Sequence, residues 1–216
     1  MNKWLLLRIM RFMHYYRSKG AIMAICRPFQ KIRESLFRKP DIVFFVDLTR
    51  LKNEEYNLPA NFSVKCLRSE AELTLQHLNT LFDHIGEKIC RYHMEERFSQ
   101  GALFWLVEVD GTLAGYVWSE EGGTIQSHYF PLTDKDVHLF DNLIFEELRG
   151  QGINPVLINY VLTELTKKGL VRAFIETNIT NTAEIRSLSK TGFQKFGLAR
   201  KCHVGEHNFV IWSKVR

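Results

Sequence analysis

After Pro40 the chain runs Asp41-Ile42-Val43-Phe44-Phe45-Val46, an apolar stretch of strand length, and a polar passage from Leu51 to Ala60 follows it. Phe62-Ser63-Val64-Lys65-Cys66-Leu67 alternates apolar with polar positions, the period-two mark of a half-buried strand. The period then changes. Ser69-Glu70-Ala71-Glu72 reads as a helix cap with early acids, and Leu73, Leu75, Leu78, Leu81, Phe82 and Ile85 mark the buried side of that helix. A second helical segment covers about Glu87 to Ser99, after Gly86. Strands return at Ala102 to Val109 and Thr112 to Ser119, on either side of Asp110-Gly111, the strongest short hairpin signal. Thr124 to Phe130, closed by Pro131, and Val137 to Phe145 are the next two.

Pro155 lies in the first turn of a further helix, where its missing N–H costs little, and Val156, Leu157, Tyr160, Val161 and Leu165 carry that helix to Gly169. Leu170 to Thr177 is a strand, Asn181 to Thr191 a helix stopped by Gly192, and Phe193 to Arg200 and Phe209 to Lys214 are the last strands. The order predicts an α/β chain of the α+β type, in which a strand meander precedes alternating helices and strands.

Composition changes this picture at one end. With 216 residues, 45% of them hydrophobic, the chain has the size of one domain plus an extension. Residues 1–40 hold ten Lys/Arg against one acid, Glu34, so that segment carries +9 and the remainder −4 of the net +5. We divide the chain into a basic amphipathic helical extension (1–40), a strand and linker (41–60), and the main domain (61–216). Arginines interrupt Trp4 to Met13 too often for it to span a bilayer, and it lacks the apolar core and cleavage site of a secretory signal. Two readings stay open for residues 1–39: an interfacial helix making peripheral contact with the inner face of the membrane, or a cover for an apolar face of the domain or a dimer partner. Nucleic acid is not an expected partner, since no basic face is interleaved with stacking aromatics. Cys26, Cys66, Cys90 and Cys202 form no C-x-x-C pair and fit free thiols of a cytoplasmic protein.

The candidate chemistry centres on Leu148-Arg149-Gly150-Gln151-Gly152-Ile153-Asn154-Pro155, a glycine pair between a strand and a helix. Bare backbone N–H groups at a helix N-terminus, approached closely through glycine and flanked by Arg149, make a phosphate cradle. No nucleophile elbow or Gly-Lys-Ser/Thr loop is present. His203 and His207 have a metal-like interval, but Gly205 reads as a hairpin turn between them, so no metal is expected. Gly150-x-Gly152 followed by Glu176 superficially fits a dinucleotide-binding fingerprint; Pro155 in the third glycine's place and the preceding antiparallel meander argue against it.

These motifs together resemble the GNAT acyl-CoA N-acyltransferase superfamily over roughly residues 60–216. Arg149-Gly150-Gln151-Gly152-Ile153-Asn154 is similar to its pyrophosphate loop, with Asn154 in place of the final small residue. Ile175 to Asn181 is similar to the strand-to-helix passage ending in the family's asparagine, and Ile185 through Lys190-Thr191-Gly192-Phe193 to its closing helix. The resemblance implies a GNAT-like mixed, mostly antiparallel sheet flanked by helices, with acetyl-CoA (acyl-CoA as cosubstrate) in a splay between two parallel strands. It further implies that the backbone of Ile144, Phe145 and Glu146 pairs with the pantetheine arm. The N–H groups of Gly150, Gln151, Gly152, Ile153 and Asn154, with Arg149, would hold the pyrophosphate, and Asn181 would help seat the cofactor. The implied activity is transfer of an acetyl or other short acyl group to a primary amine, such as that of an amino sugar or cell-envelope precursor. Asp141 is the first candidate base and Glu176 the second. Leu188 stands where the family often has a tyrosine acid, which keeps a non-catalytic acyl-CoA-binding or docking module as the alternative. His128 and Tyr129 occupy positions from which substrate-side strands contribute, though a lone histidine reads as structural.

Overall fold

The computed structural model describes residues 39–51, 56–122, 128–204 and 207–213, with the backbone alone at 202–204 and 207–209. The basic arm expected over residues 1–39 and most of the strand expected over Thr124 to Phe130 lie outside the described residues; the described end of that strand, residues 128–130, is not β-structure. Two units are present: Ser69–Ser99, and a larger one made of Lys39–Arg68 with Gln100–Arg216.

The smaller unit holds helices α1 (Leu75–Ile85) and α2 (Glu87–Ser99), preceded by a 3-10 turn over Glu70–Glu72. The cap expected at Ser69 is instead at Thr74. Its hydroxyl accepts the His77 N–H (3.1 Å) and His77 Nδ1 accepts the Thr74 N–H (3.4 Å), a capping box that satisfies two helix-end donors at once. Ser69 makes no such cap. Leu75, expected on the buried side, is the first helical residue and is 79% exposed. Leu81 is buried as expected. Gly86, at φ +91, separates α1 from α2, and Arg91 on α2 holds both Glu87 (3.0 Å) and Glu70 (2.7 Å).

The larger unit is built on one eight-stranded sheet. Its strands are β1 (Asp41–Asp47), β2 (Phe62–Leu67), β3 (Leu103–Val109), β4 (Thr112–Glu121), β5 (Asp136–Ile144), β6 (Arg172–Asn178), β7 (Gln194–Val204) and β8 (His207–Ser213), in the order β2-β3-β4-β5-β6-β1-β7-β8. Every pairing is antiparallel except β5 with β6. The hairpin at Asp110-Gly111 turns with φ +50 and +73, the left-handed pair that such a two-residue turn requires. β1 joins the sheet between β6 and β7, pairing Asp41 with Asn178 on one side and with Ala199 on the other.

Helix α3 (Ile153–Lys167) buries Ile153, Leu157, Ile158, Val161, Leu162 and Leu165, the spacing of one helical face. They pack with inward residues of the sheet, among them Phe44, Trp105, Val117, Leu139 and Ile175, and with Leu188 of the short helix α4 (Thr182–Leu188). The opposite face of β1, β6 and β7 carries a smaller cluster of Val43, Phe174, Ala199 and Tyr129. The Tyr129 hydroxyl donates to the Asp41 carboxylate, which also accepts from Asn178 (3.2 Å). No described helix is long and apolar enough to cross a membrane.

Candidate active site

Strand β5 runs through a 3-10 turn, Glu146–Leu148, into Arg149-Gly150-Gln151-Gly152 and then α3. Gly150 (φ +81) and Gly152 (φ +78) are left-handed, which turns the chain sharply enough to start a helix where the strand has ended. Gly152 is the N-cap, with no side chain to occupy the first helical N–H groups, and Pro155 falls at the third helical position. Among the described residues, a Cβ on either glycine would meet nothing within 4 Å. These residues leave the N-terminus of α3 open, with no side chain capping its dipole. Arg149 does not extend into that space. Its Nε donates to Ile144 O (3.0 Å), while the Phe145 N–H goes to Ala114 O (3.0 Å) and Phe145 O accepts from Leu148 (3.0 Å).

Beside the cradle the sheet opens. The parallel pairing of β5 with β6 covers only Asp136 with Arg172, Val137 with Ala173, and His138 with Phe174, although both strands continue beyond. A bidentate ion pair, Arg172 Nε and Nη2 to the two Asp136 oxygens at 2.7 Å each, clamps the closed end. Burial pushes the Asp136 carboxyl up, but Arg172 and Thr133 hold it below its usual value. Past the opening, β5 bulges: Trp118 pairs with Phe140 and Tyr116 with Leu143, so two residues oppose Val117. Asp141 takes up the bulge at φ +48, with its side chain in an exposed residue. Gly115 permits the close approach, since a Cβ there would lie 2.3 Å from Leu143 O.

The bulge directs Asn142 toward α4. Its Nδ2 donates to Glu184 Oε1 (2.8 Å), and Asn154 of α3 donates to the Ser187 hydroxyl (2.7 Å). Asn142 Oδ1 and Asn154 Oδ1 are buried and, among the described residues, meet no hydrogen-bond donor. Burial pushes the Glu184 carboxyl up, and the contacts with Asn142 and Asn154 only partly offset that. The sequence reading missed Glu184. The available signal was an acid in the first turn of the closing helix, one helical turn before Leu188. Leu188 itself is fully buried in the main core. Asn181 caps α4, its Oδ1 accepting the Glu184 N–H (3.3 Å).

On the other side of the sheet, Glu176 lies two residues beyond Phe174, the last position at which β6 pairs with β5, and beside His138. Its Oε2 is 2.8 Å from His138 Nε2 and 3.7 Å from His128 Nε2. Burial pushes Glu176 up, but both histidines outweigh it and hold the carboxyl well below the usual carboxylate range. His128, read as a lone histidine in the sequence, is thus not alone, and His138 was not singled out at all. Of the two candidate bases, Asp141 stands on the bulge and Glu176 is engaged with imidazoles; the two belong to different surroundings. The register of β7 and β8 pairs His203 with Asn208 and Val204 with His207, so His203 and His207 are not cross-strand partners.

A family model described as the acetyltransferase (GNAT) family matches residues 72–193, more than half of the chain. No curated protein sequence matches. Among solved structures the chain is similar to an acetyltransferase of the GNAT family from Colwellia psychrerythraea, at TM-score 0.53 and 16% identity, over 73% of this chain and 53% of that one. It is also similar to AAC(6')-Iy in complex with the bisubstrate analogue CoA-S-monomethyl-acetylneamine, at TM-score 0.52 and 15% identity, over 68% and 99% of the two chains. A third likeness is to the glucosamine N-acetyltransferase region of a fungal multi-domain GH3 β-N-acetylglucosaminidase, at TM-score 0.52 and 11% identity, over 84% and 22%. The chain spans about half the length of the Colwellia protein. At these identities the likeness is one of fold.

Proposed function

The chain belongs to the acetyltransferase (GNAT) family, and we propose that it moves an acetyl or other short acyl group from acyl-CoA to a primary amine. The observation that carries the proposal is the opening of β5 from β6 directly beside an uncapped, glycine-lined helix N-terminus. The residues fit acetyl-CoA. Gly150, Gln151, Gly152, Ile153 and Asn154 offer backbone N–H groups to a pyrophosphate over open space. The donorless oxygens of Asn142 and Asn154 suit the amide N–H groups of a pantetheine arm. Pairing of that arm with Ile144, Phe145 and Glu146 requires Arg149 to release Ile144 O, which would free its guanidinium for phosphate. Asn181 supports the cradle indirectly, through the end of α4 that it caps.

Acetyl-CoA supplies an activated thioester. The chain supplies proton handling around it. Asp141, presented by the bulge, is the proposed base that takes a proton from the acceptor's ammonium, leaving the neutral amine to attack the thioester carbonyl. Glu176 is the less suited candidate because its charge is already committed to two histidines. Glu184, whose partly buried carboxyl has a pKa raised by desolvation, is the proposed donor to the departing thiolate, replacing the tyrosine absent at Leu188. An amino sugar is the proposed acceptor class. Its support is the fold shared with proteins described as acting on glucosamine or crystallised with a neamine conjugate, together with the basic arm over residues 1–39. The arm would place the protein at the inner face of the membrane. Deleting it should abolish salt-sensitive sedimentation with anionic vesicles.

The buried Leu188 favours one other reading, a binding module of the same fold without turnover. Mass-shift screening of amine acceptors with acetyl-CoA separates the two: an acetylated amine establishes the transferase, and acetyl-CoA binding without any product establishes the module. Thermal stabilisation by NAD and not by acetyl-CoA would overturn both.

A further inference from the structure

Among the described residues, three ring nitrogens beside Glu176 have no hydrogen bond. His128 Nδ1, His128 Nε2 and His138 Nδ1 are buried without a hydrogen bond, with the side chain of His128 2% exposed and that of His138 6%. Leaving a buried polar group unsatisfied destabilises the fold, because its hydration is lost with nothing in return. The His138 to Glu176 contact satisfies one imidazole nitrogen, while His128 Nε2 lies 3.7 Å from the same carboxylate oxygen, beyond hydrogen-bond distance. Aromatic rings surround the pair: Phe130 meets the His128 ring edge-on at 4.8 Å, Phe174 lies 5.9 Å from it, and Phe140 stacks on His138 at 5.4 Å, while Glu120 of β4 is the register partner of His138. Two imidazoles and one carboxylate therefore converge inside an aromatic wall, their nearest ligand atoms all within 4.8 Å of one another.

That donor set is the His₂Glu combination of an open zinc centre, in which three protein ligands leave a further position for water or another small ligand. Tetrahedral coordination at zinc–nitrogen distances near 2.0–2.1 Å puts neighbouring ligand atoms about 3.3 Å apart. The two imidazoles stand 2.8 Å and 3.7 Å from the carboxylate oxygen, on either side of that value, and all three ligand atoms lie within 4.8 Å of one another, so seating an ion requires the histidine rings to draw together. We propose that His128, His138 and Glu176 bind one divalent transition-metal ion, zinc by donor preference, tying the segment that carries His128 to β5 and β6. The site is separate from the cradle at the N-terminus of α3 and uses none of its residues. It also runs against the expectation of no metal, which weighed only His203 and His207.

The test uses the full chain without a polyhistidine tag, stripped by chelator, then dialysed against Zn²⁺ and titrated with Co²⁺ in the absence of acetyl-CoA. One equivalent of Zn²⁺ should bind, with a d–d absorption for Co²⁺ and a higher melting temperature for the zinc form. His128→Ala and Glu176→Gln should each weaken binding at least about 10–100-fold, the loss typical of disturbing even an outer-shell partner. His203→Ala with His207→Ala should leave it unchanged. His128→Ala lies outside the sheet, so it keeps the test decisive if a strand variant fails to fold. No saturable binding, or equal binding by His128→Ala and Glu176→Gln, overturns the proposal whatever the enzymatic activity.

Discussion

Gly152→Ala separates what the cradle costs the protein from what it does for a ligand. At φ +78 an alanine pays left-handed backbone strain of about 1–2 kcal/mol. Loss of glycine's freedom in the unfolded chain returns about 0.4–1 kcal/mol of that. No atom lies within 4 Å of the added Cβ, so no steric penalty enters, and the net loss is about 1 kcal/mol. For a chain of this size that lowers the melting temperature by about 2–4 °C. The same open space is where the pyrophosphate is proposed to sit. A methyl group there holds it away from the N–H groups, and each charge-assisted hydrogen bond lost is worth about 1.5–3 kcal/mol. Acetyl-CoA affinity should thus fall about tenfold to a hundredfold, read by calorimetric titration, with apo stability nearly kept. Gly115→Ala is the contrasting variant: its Cβ would lie 2.3 Å from Leu143 O and 2.7 Å from Ile144 Cδ1, so the backbone must part and the melting temperature should fall much further. If Gly152→Ala melts a few degrees lower yet binds acetyl-CoA as the unaltered chain does, the placement of phosphate at this turn is wrong.

Asp141→Asn should lower turnover by about 10²-fold with acetyl-CoA affinity intact; asparagine tolerates φ +48, so an unchanged kcat would remove Asp141 as the base. Glu184 has a raised carboxyl pKa, so its favourable contribution is complete below the ordinary carboxylate value and is lost as pH rises through the raised one. Glu184→Gln should accordingly melt higher than the unaltered chain at pH 8 and no higher at pH 4, while losing turnover; equal melting differences at the two pH values would contradict the burial argument. Asp136→Ala removes both Arg172 contacts and the Thr133 contacts from a carboxylate 1% exposed. Because Arg172 is 41% exposed and can rehydrate, the loss should be about 2–3 kcal/mol. A melting temperature about 5–10 °C lower follows by calorimetry, and a drop under 2 °C would show that the clamp matters little.

Local patterns account for what was readable. The strand at Phe62–Leu67, the Asp110-Gly111 hairpin, α2 and the cradle were legible because neighbouring residues determine them. Thr74 displaced Ser69 as the cap because His77 sits where its ring can return the hydrogen bond, a pairing less familiar than the glutamate box. Leu75 broke the apolar stripe for the same reason, being the first residue after the true cap. The bulge at Asp141 arises from a one-residue difference in length between strands paired across the sheet, which no window along β5 contains. His138, Glu176 and His128 meet only because a parallel pairing and a separate segment bring them together, and Glu184 is buried by contacts from β5 and α3. The proposed cofactor half of the site depends on a contiguous turn; the proposed proton-handling half depends on register.

The placement of β1 between β6 and β7 has a consequence for synthesis on the ribosome. Asp41 and Asn178, which contact each other in the finished sheet, are 137 positions apart. At about 5–20 residues per second, translation leaves β1 without either neighbour for on the order of ten seconds. During that interval Ile42 to Val46 is an uncharged, β-prone segment with both hydrogen-bonding edges bare, the kind that pairs with other chains. The nascent protein should therefore rely on a holding chaperone until β6 and β7 emerge, and a charged residue in place of Phe45 would protect the growing chain only at the expense of the ring contacts Phe45 makes with Phe174 and Phe196 in the finished one.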